Sequence, residues 1–215
     1  MTAVVIVAKE CLPGRVKTRL ARTIGDQAAA RVAAASLHDT MRLVRRLPAS
    51  RRVLLYDGDV LPPDSDDFDV LPQVTGGLDE RLAAMFDTMD EPTLLVGMDT
   101  PQLSTELLAP VFAARDDVDA WFGPAEDGGF WGLWLRRPDG AMLRGVPMSH
   151  PRTGEVQLER LRSNGLRVSI LGTLRDVDEI DDATEVGRLA PDTRFAYVLD
   201  AELERLELLT PAGRL

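Results

Sequence analysis

At 215 residues and 45% hydrophobic side chains the chain can bury a sizeable core, and no Ser/Gly/Pro-rich linker divides it, so one domain over residues 1–215 is expected. A formal net charge of −10 argues against general nucleic-acid binding, which needs an excess of Lys and Arg; any phosphate bound should be small. The lone cysteine, Cys11, excludes an intramolecular disulfide, and the apolar run Val4–Val7 is too short for a leader or a membrane span, so a cytoplasmic location is expected.

The chain opens on an apolar strand, Ala3–Ala8, followed by Lys9-Glu10-Cys11-Leu12-Pro13-Gly14-Arg15-Val16-Lys17-Thr18-Arg19-Leu20. A strand that opens into a Gly-containing, cation-rich loop is where an α/β sheet receives phosphate. Pro13-Gly14 breaks the strand, and Arg15, Lys17 and Arg19 alternate so that two or three of them can converge on one polyanion. The segment is not a Walker A loop, because Val16 and Cys11 stand where that motif needs glycine, and no Gly-x-Gly-x-x-Gly follows the strand. The competing reading is a basic surface turn whose charges are merely solvated.

From Gly25 to Leu47 apolar residues recur every three and four positions, the stripe of a long amphipathic helix that Pro48 stops. Arg52–Tyr56 predicts a buried strand, the acidic stretch 57–69 a solvated loop, and Val70-Leu71 a short strand. Gln73-Val74-Thr75-Gly76-Gly77 precedes a helix with Leu78, Leu82, Met85, Phe86 and Met89 on one face. The apolar strand Thr93–Gly97 leads to Met98-Asp99-Thr100-Pro101, which puts Asp99 at the carboxyl end of a central parallel strand, where open sheets bind ligands. Ser104 can cap the next helix, and Pro110 predicts that this helix is kinked or broken in two.

Asp119–Phe122 and Phe130–Leu135 predict strands around the loop Pro124-Ala125-Glu126-Asp127-Gly128-Gly129, with an antiparallel piece allowed by the short connection. Trp121, Trp131 and Trp134 read first as core aromatics, although Trp131, beside the Gly-Gly turn, can also stack on a ligand. His150, beside Pro151, reads as a surface residue rather than a ligand. A helix over 153–164 closed by Gly165, a strand 167–171, the acidic Asp176-Val177-Asp178, and helices near 182–189 and 193–209 complete the chain. Strands alternating with helices give a layered α/β domain with a mainly parallel sheet. Its basic loop, Asp99 and Asp176-Val177-Asp178 together supply a phosphate cradle and separated carboxylates. Mg²⁺-assisted transfer from a nucleotide requires that combination.

The same segments resemble the nucleotide-diphospho-sugar transferases of GT-A fold, and within them the DUF2064 group of glycosyltransferase-like proteins. The resemblance rests on Lys9 with Pro13–Leu20, Gln73 with Gly76-Gly77 and Glu80-Arg81-Leu82, Gly97–Leu103, Gly123–Trp131 and Asp176–Asp178. The first loop also looks similar to that of cofactor guanylyltransferases. It implies a single Rossmann-like three-layer domain with a nucleotide-binding half over about 1–100, an acceptor half over about 101–190 and a carboxyl-terminal helix over about 193–209. It implies nucleotide contacts from Lys9, Gly14, Arg15, Lys17, Arg19, Gln73, Gly76, Gly77 and Arg81. Lys17, Arg19 and Asp127 would be catalytic, and Asp127, Gly128, Gly129 and Trp131 would line an acceptor pocket. Mg²⁺ or Mn²⁺ would sit on Asp99 and Asp178, with Asp176 as a further candidate ligand.

The expected partners are a nucleoside triphosphate or a nucleotide sugar and a small-molecule acceptor, with no nucleic acid and no membrane span, and a homodimer is allowed for. The leading expectation is nucleotidyl transfer to a small phosphorylated acceptor. The alternatives are glycosyl transfer from a nucleotide sugar, with Asp127 as base, and a catalytically silent nucleotide-binding domain.

Overall fold

The computed structural model describes residues 1–113 and 115–209. Seven strands form one sheet in the order β3-β2-β1-β4-β6-β5-β7. They span Ala3–Lys9 (β1), Arg52–Asp57 (β2), Asp69–Pro72 (β3), Thr93–Gly97 (β4), Ala120–Pro124 (β5), Phe130–Leu135 (β6) and Val168–Ile170 (β7). β1 pairs in parallel with β2 and β4, β2 with β3, and β5 with β7, whereas β6 runs antiparallel between β4 and β5. The mainly parallel mixed sheet and its antiparallel piece are as expected from the sequence.

β1 is apolar from Ala3 to Ala8 because both its faces are covered there. Val4, Ile6 and Ala8 pack under α2 (Asp26–Arg46) and α4 (Thr105–Phe112), while Ala3 and Val5 pack under α3 (Leu78–Thr88) and α5 (Thr153–Ser163). Those are the three layers. Outside α2 lie α1 (Thr18–Ile24), α6 (Ile180–Leu189) and α7 (Arg194–Leu209), around Leu20, Val32, Val186, Phe195 and Leu199. Side chains of this size each contribute about 1.5–3 kcal/mol when fully buried. Two polar ties fix α7 on α2. Asp39 accepts from the amides of Arg194 and Phe195 at the start of α7, and Glu202 forms a two-pronged pair with Arg31 at 2.6 and 2.8 Å.

Two local expectations are corrected. The basic loop does not run on to Leu20, because α1 begins at Thr18. Pro110 does not divide its helix; α4 is one short helix capped by Ser104, with Pro110 inside it, where the ring removes one N–H from the ladder. A short 3₁₀ turn spans Gly140–Met142, with the Asp139 carboxylate accepting from the Ala141 amide. Among the described residues no helix is long and apolar enough to cross a membrane.

Candidate active site

β1 and β4 are neighbours, yet the chain goes on from β1 to β2 on one side and from β4 to β5 on the other, and a crevice opens beyond their carboxyl ends. The loop after β1 and the turn after β4 meet there. Lys17 is the residue before α1 and adopts left-handed backbone angles, φ 46° and ψ 46°. For a non-glycine residue this conformation costs roughly 1–2 kcal/mol, a strain that in folded proteins gathers at functional positions. It turns the side chain inward, leaving it only 7% exposed.

The Lys17 ammonium lies 2.8 Å from Asp99 Oδ1 and 3.3 Å from Asp178 Oδ1. The sum of those distances, about 6.1 Å, is the upper limit on the separation of the two oxygens. Arg19 reaches the other oxygen of Asp178 at 3.3 Å. The two acidic segments are also tied through the backbone, the amide of Val177 donating to the carbonyl of Asp99 at 3.0 Å. Met98, beside Asp99, is pinned to α2 by the buried Ser36 hydroxyl, which donates to its carbonyl at 2.6 Å. Burial alone would push the Lys17 ammonium down, but Asp99 and Asp178 outweigh it and hold the group above its ordinary value.

This cleft, about 350 Å³, is lined by Lys9, Lys17, Thr18, Arg19, Asp99, Ser149 and Asp178, among others. A second cleft of about 300 Å³ shares Arg19 and Asp178 and continues along Glu126, Asp127, Arg175, Asp176, Glu179 and Asp182. Together they gather seven carboxylates against four cations. The imbalance shows in Asp176. Burial, with Asp127 and Asp178 nearby, pushes its carboxyl up to about 6. Arg175 offsets part of the charge, pairing with Glu126 at 2.7 Å and lying 3.9 Å from Asp182.

The Asp127 loop is shaped by its glycines. Asp127 Oδ1 accepts from the Gly129 amide at 2.7 Å, and Gly128 takes φ 87° where a Cβ would stand 1.9 Å from the carbonyl oxygen of Pro151. The amide of Gly154, at the start of α5, donates to Gly128 O at 2.7 Å, so the loop is seated against that helix end. Asp127 itself remains exposed.

Other expected site residues lie elsewhere or are already engaged. Trp131 is corrected: it is 4% exposed, its ring lies against Gly123, and its Nε1–H donates to Gly172 O, so it cannot stack on an acceptor. The Gln73 amide donates to the carbonyls of Ala8 and Leu55 and accepts from Arg81 at 2.7 Å, binding the ends of β1 and β2 together. Gly76 takes φ 119°, and the amide of Gly77 is held by the Glu80 carboxylate. Gly14 and Arg15 are exposed on the rim and do not line the Lys17 cleft. His150 is exposed, its Nδ1 accepting from the Arg152 amide. The sequence reading missed Ser149, a non-glycine residue at φ 55° that lines the Lys17 cleft, and Arg175.

Asp99 and Asp178 are hard oxygen donors, and both already touch a single cationic group, the Lys17 ammonium. Their chemistry and spacing therefore fit a divalent cation that also binds phosphate oxygens. Among the described residues no group of three or more His, Cys, Asp or Glu side chains is arranged to hold a metal on its own.

The α/β fold is of the kind found in nucleotide-diphospho-sugar transferases. The DUF2064 family, described as uncharacterized proteins conserved in bacteria, matches residues 40–150, and the chain belongs to it. No curated protein matches it by sequence. Among solved structures it is similar to a provisionally assigned nucleotide-diphospho-sugar transferase from Desulfovibrio desulfuricans G20, with 25% identity, TM-score 0.83, and 95% of this chain and 97% of that one covered. It shares its fold with a nucleotidyl transferase from Methanothermobacter thermautotroptrophicus at 14% identity, TM-score 0.60 and coverage of 90% and 99%. It also shares it with Rv0371C from Mycobacterium tuberculosis H37Rv, a structure in complex with manganese, at 20% identity, TM-score 0.51 and coverage of 86% and 96%.

Proposed function

We propose that this protein transfers a nucleotidyl group from a nucleoside triphosphate to a small phosphorylated acceptor. The observation that carries the reading is the Lys17–Asp99–Asp178 cluster in the crevice beyond β1 and β4, with Arg19 beside it. The likeness to the Desulfovibrio protein, and the fold shared with the Methanothermobacter nucleotidyl transferase, support it.

In this reading Lys17 and Arg19 bind the phosphate chain, with Lys9 at the edge of the same cleft. An acceptor phosphate oxygen attacks the α-phosphorus, the bond to the bridging oxygen breaks, and pyrophosphate leaves. Lys17 and Arg19 offset the charge that develops on the leaving group, a preorganised electrostatic role worth roughly a hundredfold or more in rate per donor. Asp99 and Asp178 would hold Mg²⁺ or Mn²⁺, which when bound neutralises phosphate charge; the manganese in the Rv0371C structure is in keeping with this. Asp127, exposed and fixed by its glycine loop, faces the acceptor cleft.

A second reading is favoured by that cleft's charge. Glu126, Asp127, Asp176, Glu179 and Asp182 outnumber Arg19 and Arg175, which disfavours a phosphorylated acceptor and suits a hydroxyl acceptor. The transfer would then be of a glycosyl group from a nucleotide sugar, with Asp127 taking the hydroxyl proton.

Thermal shift with Mg²⁺ against a panel of nucleoside triphosphates and nucleotide sugars tests both. A ligand at a hundredfold its dissociation constant adds about 2.7 kcal/mol of stability. Pyrophosphate among the products identifies nucleotidyl transfer, and a nucleoside diphosphate identifies glycosyl transfer. No shift with any nucleotide would leave a silent partner-binding domain.

A further inference from the structure

Of the 25 Lys and Arg side chains only two are lysines, Lys9 and Lys17, and both line the candidate phosphate cleft. Lys17 is the more confined. Its left-handed backbone and 7% exposure hold the ammonium between Asp99 and Asp178, at 2.8 and 3.3 Å. The two acids do not depend on Lys17 for their placement, since the Val177 amide to Asp99 carbonyl bond joins their segments and Arg19 holds the second oxygen of Asp178.

We propose that Lys17 is a tethered counter-ion that masks the metal position in the free protein, so that a divalent cation enters only together with a phosphate chain. This rests on the assignment of Asp99 and Asp178 as the cation-binding carboxylates. A cation that bridges Asp99 Oδ1 and Asp178 Oδ1 must take the place of the ammonium, because those two oxygens already hold it. A displaced, still buried ammonium with no partner is strongly unfavourable. Phosphate removes that difficulty by giving Lys17 a new anionic partner in the same cleft, whose other cations are Lys9 and Arg19. Cation and phosphate therefore bind cooperatively, and the coupling is reciprocal: each raises the affinity for the other by the same factor. It would also keep Asp99 and Asp178 from collecting a divalent ion in the absence of substrate.

The test uses Mn²⁺ alone and inorganic tripolyphosphate, which carries no base. Titration calorimetry of folded wild type, Lys17→Met and Lys17→Arg should show Lys17→Met binding Mn²⁺ alone at least tenfold more tightly than wild type. Lys17→Arg, which keeps the charge, should remain near wild type. Equal Mn²⁺ affinity in wild type and Lys17→Met, or no Mn²⁺ binding by either, overturns the proposal.

A second measurement needs no change at Lys17. With ¹³C-lysine labelling the protein gives two sets of lysine signals, assigned through Lys9→Arg. The Lys17 signal should stay in place with Mg²⁺ alone and move with Mg²⁺ and tripolyphosphate together; movement with Mg²⁺ alone overturns the mask. If Mg²⁺-tripolyphosphate moves Lys17 while no nucleoside triphosphate or nucleotide sugar binds, the mask stands and the transferase reading fails.

Discussion

Two ion-pair clusters sit at opposite ends of the sheet and behave differently. At the end away from the Lys17 crevice, Arg167 grips both oxygens of Asp119 at 2.7 and 2.9 Å while its backbone amide also donates to that carboxylate, and Arg136 donates to the carbonyl of Val118. The hollow there, about 470 Å³, is larger than the Lys17 cleft of about 350 Å³. Size and charge alone would favour it as a site. Asp119, however, is matched donor for acceptor by Arg167, so the pair staples β5 to the entry of β7. At the crevice one ammonium is shared by two acids, with further carboxylates around it. Unbalanced charge at the carboxyl end of parallel strands separates a candidate site from a structural staple.

The largest way to break that contrast is Asp99→Asn. Turnover of the nucleotide substrate identified by thermal shift should fall about a hundredfold or more, the usual loss when one preorganised electrostatic partner is removed. Asp119→Asn should leave turnover within about twofold of wild type. Steady-state kcat/KM for the two variants decides, and a fully active Asp99→Asn protein would end the metal assignment.

Gly128→Ala tests whether the Asp127 loop is seated as described. The new Cβ meets the Pro151 carbonyl at 1.9 Å and φ is 87°, so left-handed strain and overpacking should together cost about 2–4 kcal/mol. Denaturant unfolding should show that loss, and activity should fall with it as Asp127 moves. A neutral substitution would mean that the loop is not packed on α5.

Arg19→Ala should be milder. The side chain is 62% exposed and pairs with Asp178, so triphosphate affinity is expected to fall about tenfold, or about 1.4 kcal/mol. The residual affinity should depend less on salt, because an exposed charge is readily screened. Calorimetric titration at two ionic strengths measures both. Unchanged affinity would return Arg19 to the surface-turn reading.

Much of this contrast was legible in sequence, and the illegible part has physical causes. Continuous apolar runs marked β1 and β4 because both their faces are buried, and the strand end then located Asp99. The stripe over 25–47 marked α2 because one of its faces packs on the sheet and another on α7. The seven-residue α1 was hidden by the alternating charges Arg15, Lys17 and Arg19, and by an entry conformation that side-chain type does not announce. Trp131 looked available for stacking because it follows a Gly-Gly turn, but only the pairing of β5 with β6 shows that its ring fills the space left by Gly123. Ser149 carries no signal at all; it reaches the cleft because Thr153 ties down the 147–153 loop, its hydroxyl donating to Pro147 O and accepting from the His150 amide.

The smallest expected effect sharpens the contrast from the other side. Hydrogen bonds from the Arg167 guanidinium, then from its backbone amide, hold the Asp119 carboxyl well below the usual carboxylate range. A carboxylate whose folded-state pKa is depressed contributes stability above its unfolded value, about 3.9, and loses it as pH falls through the folded one. Asp119→Asn removes that contribution, so its melting temperature should lie modestly below that of wild type near pH 7, and the gap should close as pH falls below about 4. Pairs this exposed are weak, which limits the gap to a small one. Thermal scans of both proteins from about pH 7 down to about pH 2.5 would show it. A gap that stays constant across that range would mean that the Asp119–Arg167 pair contributes nothing electrostatic. The far cluster could then no longer stand as the matched staple against which the Lys17 crevice is judged.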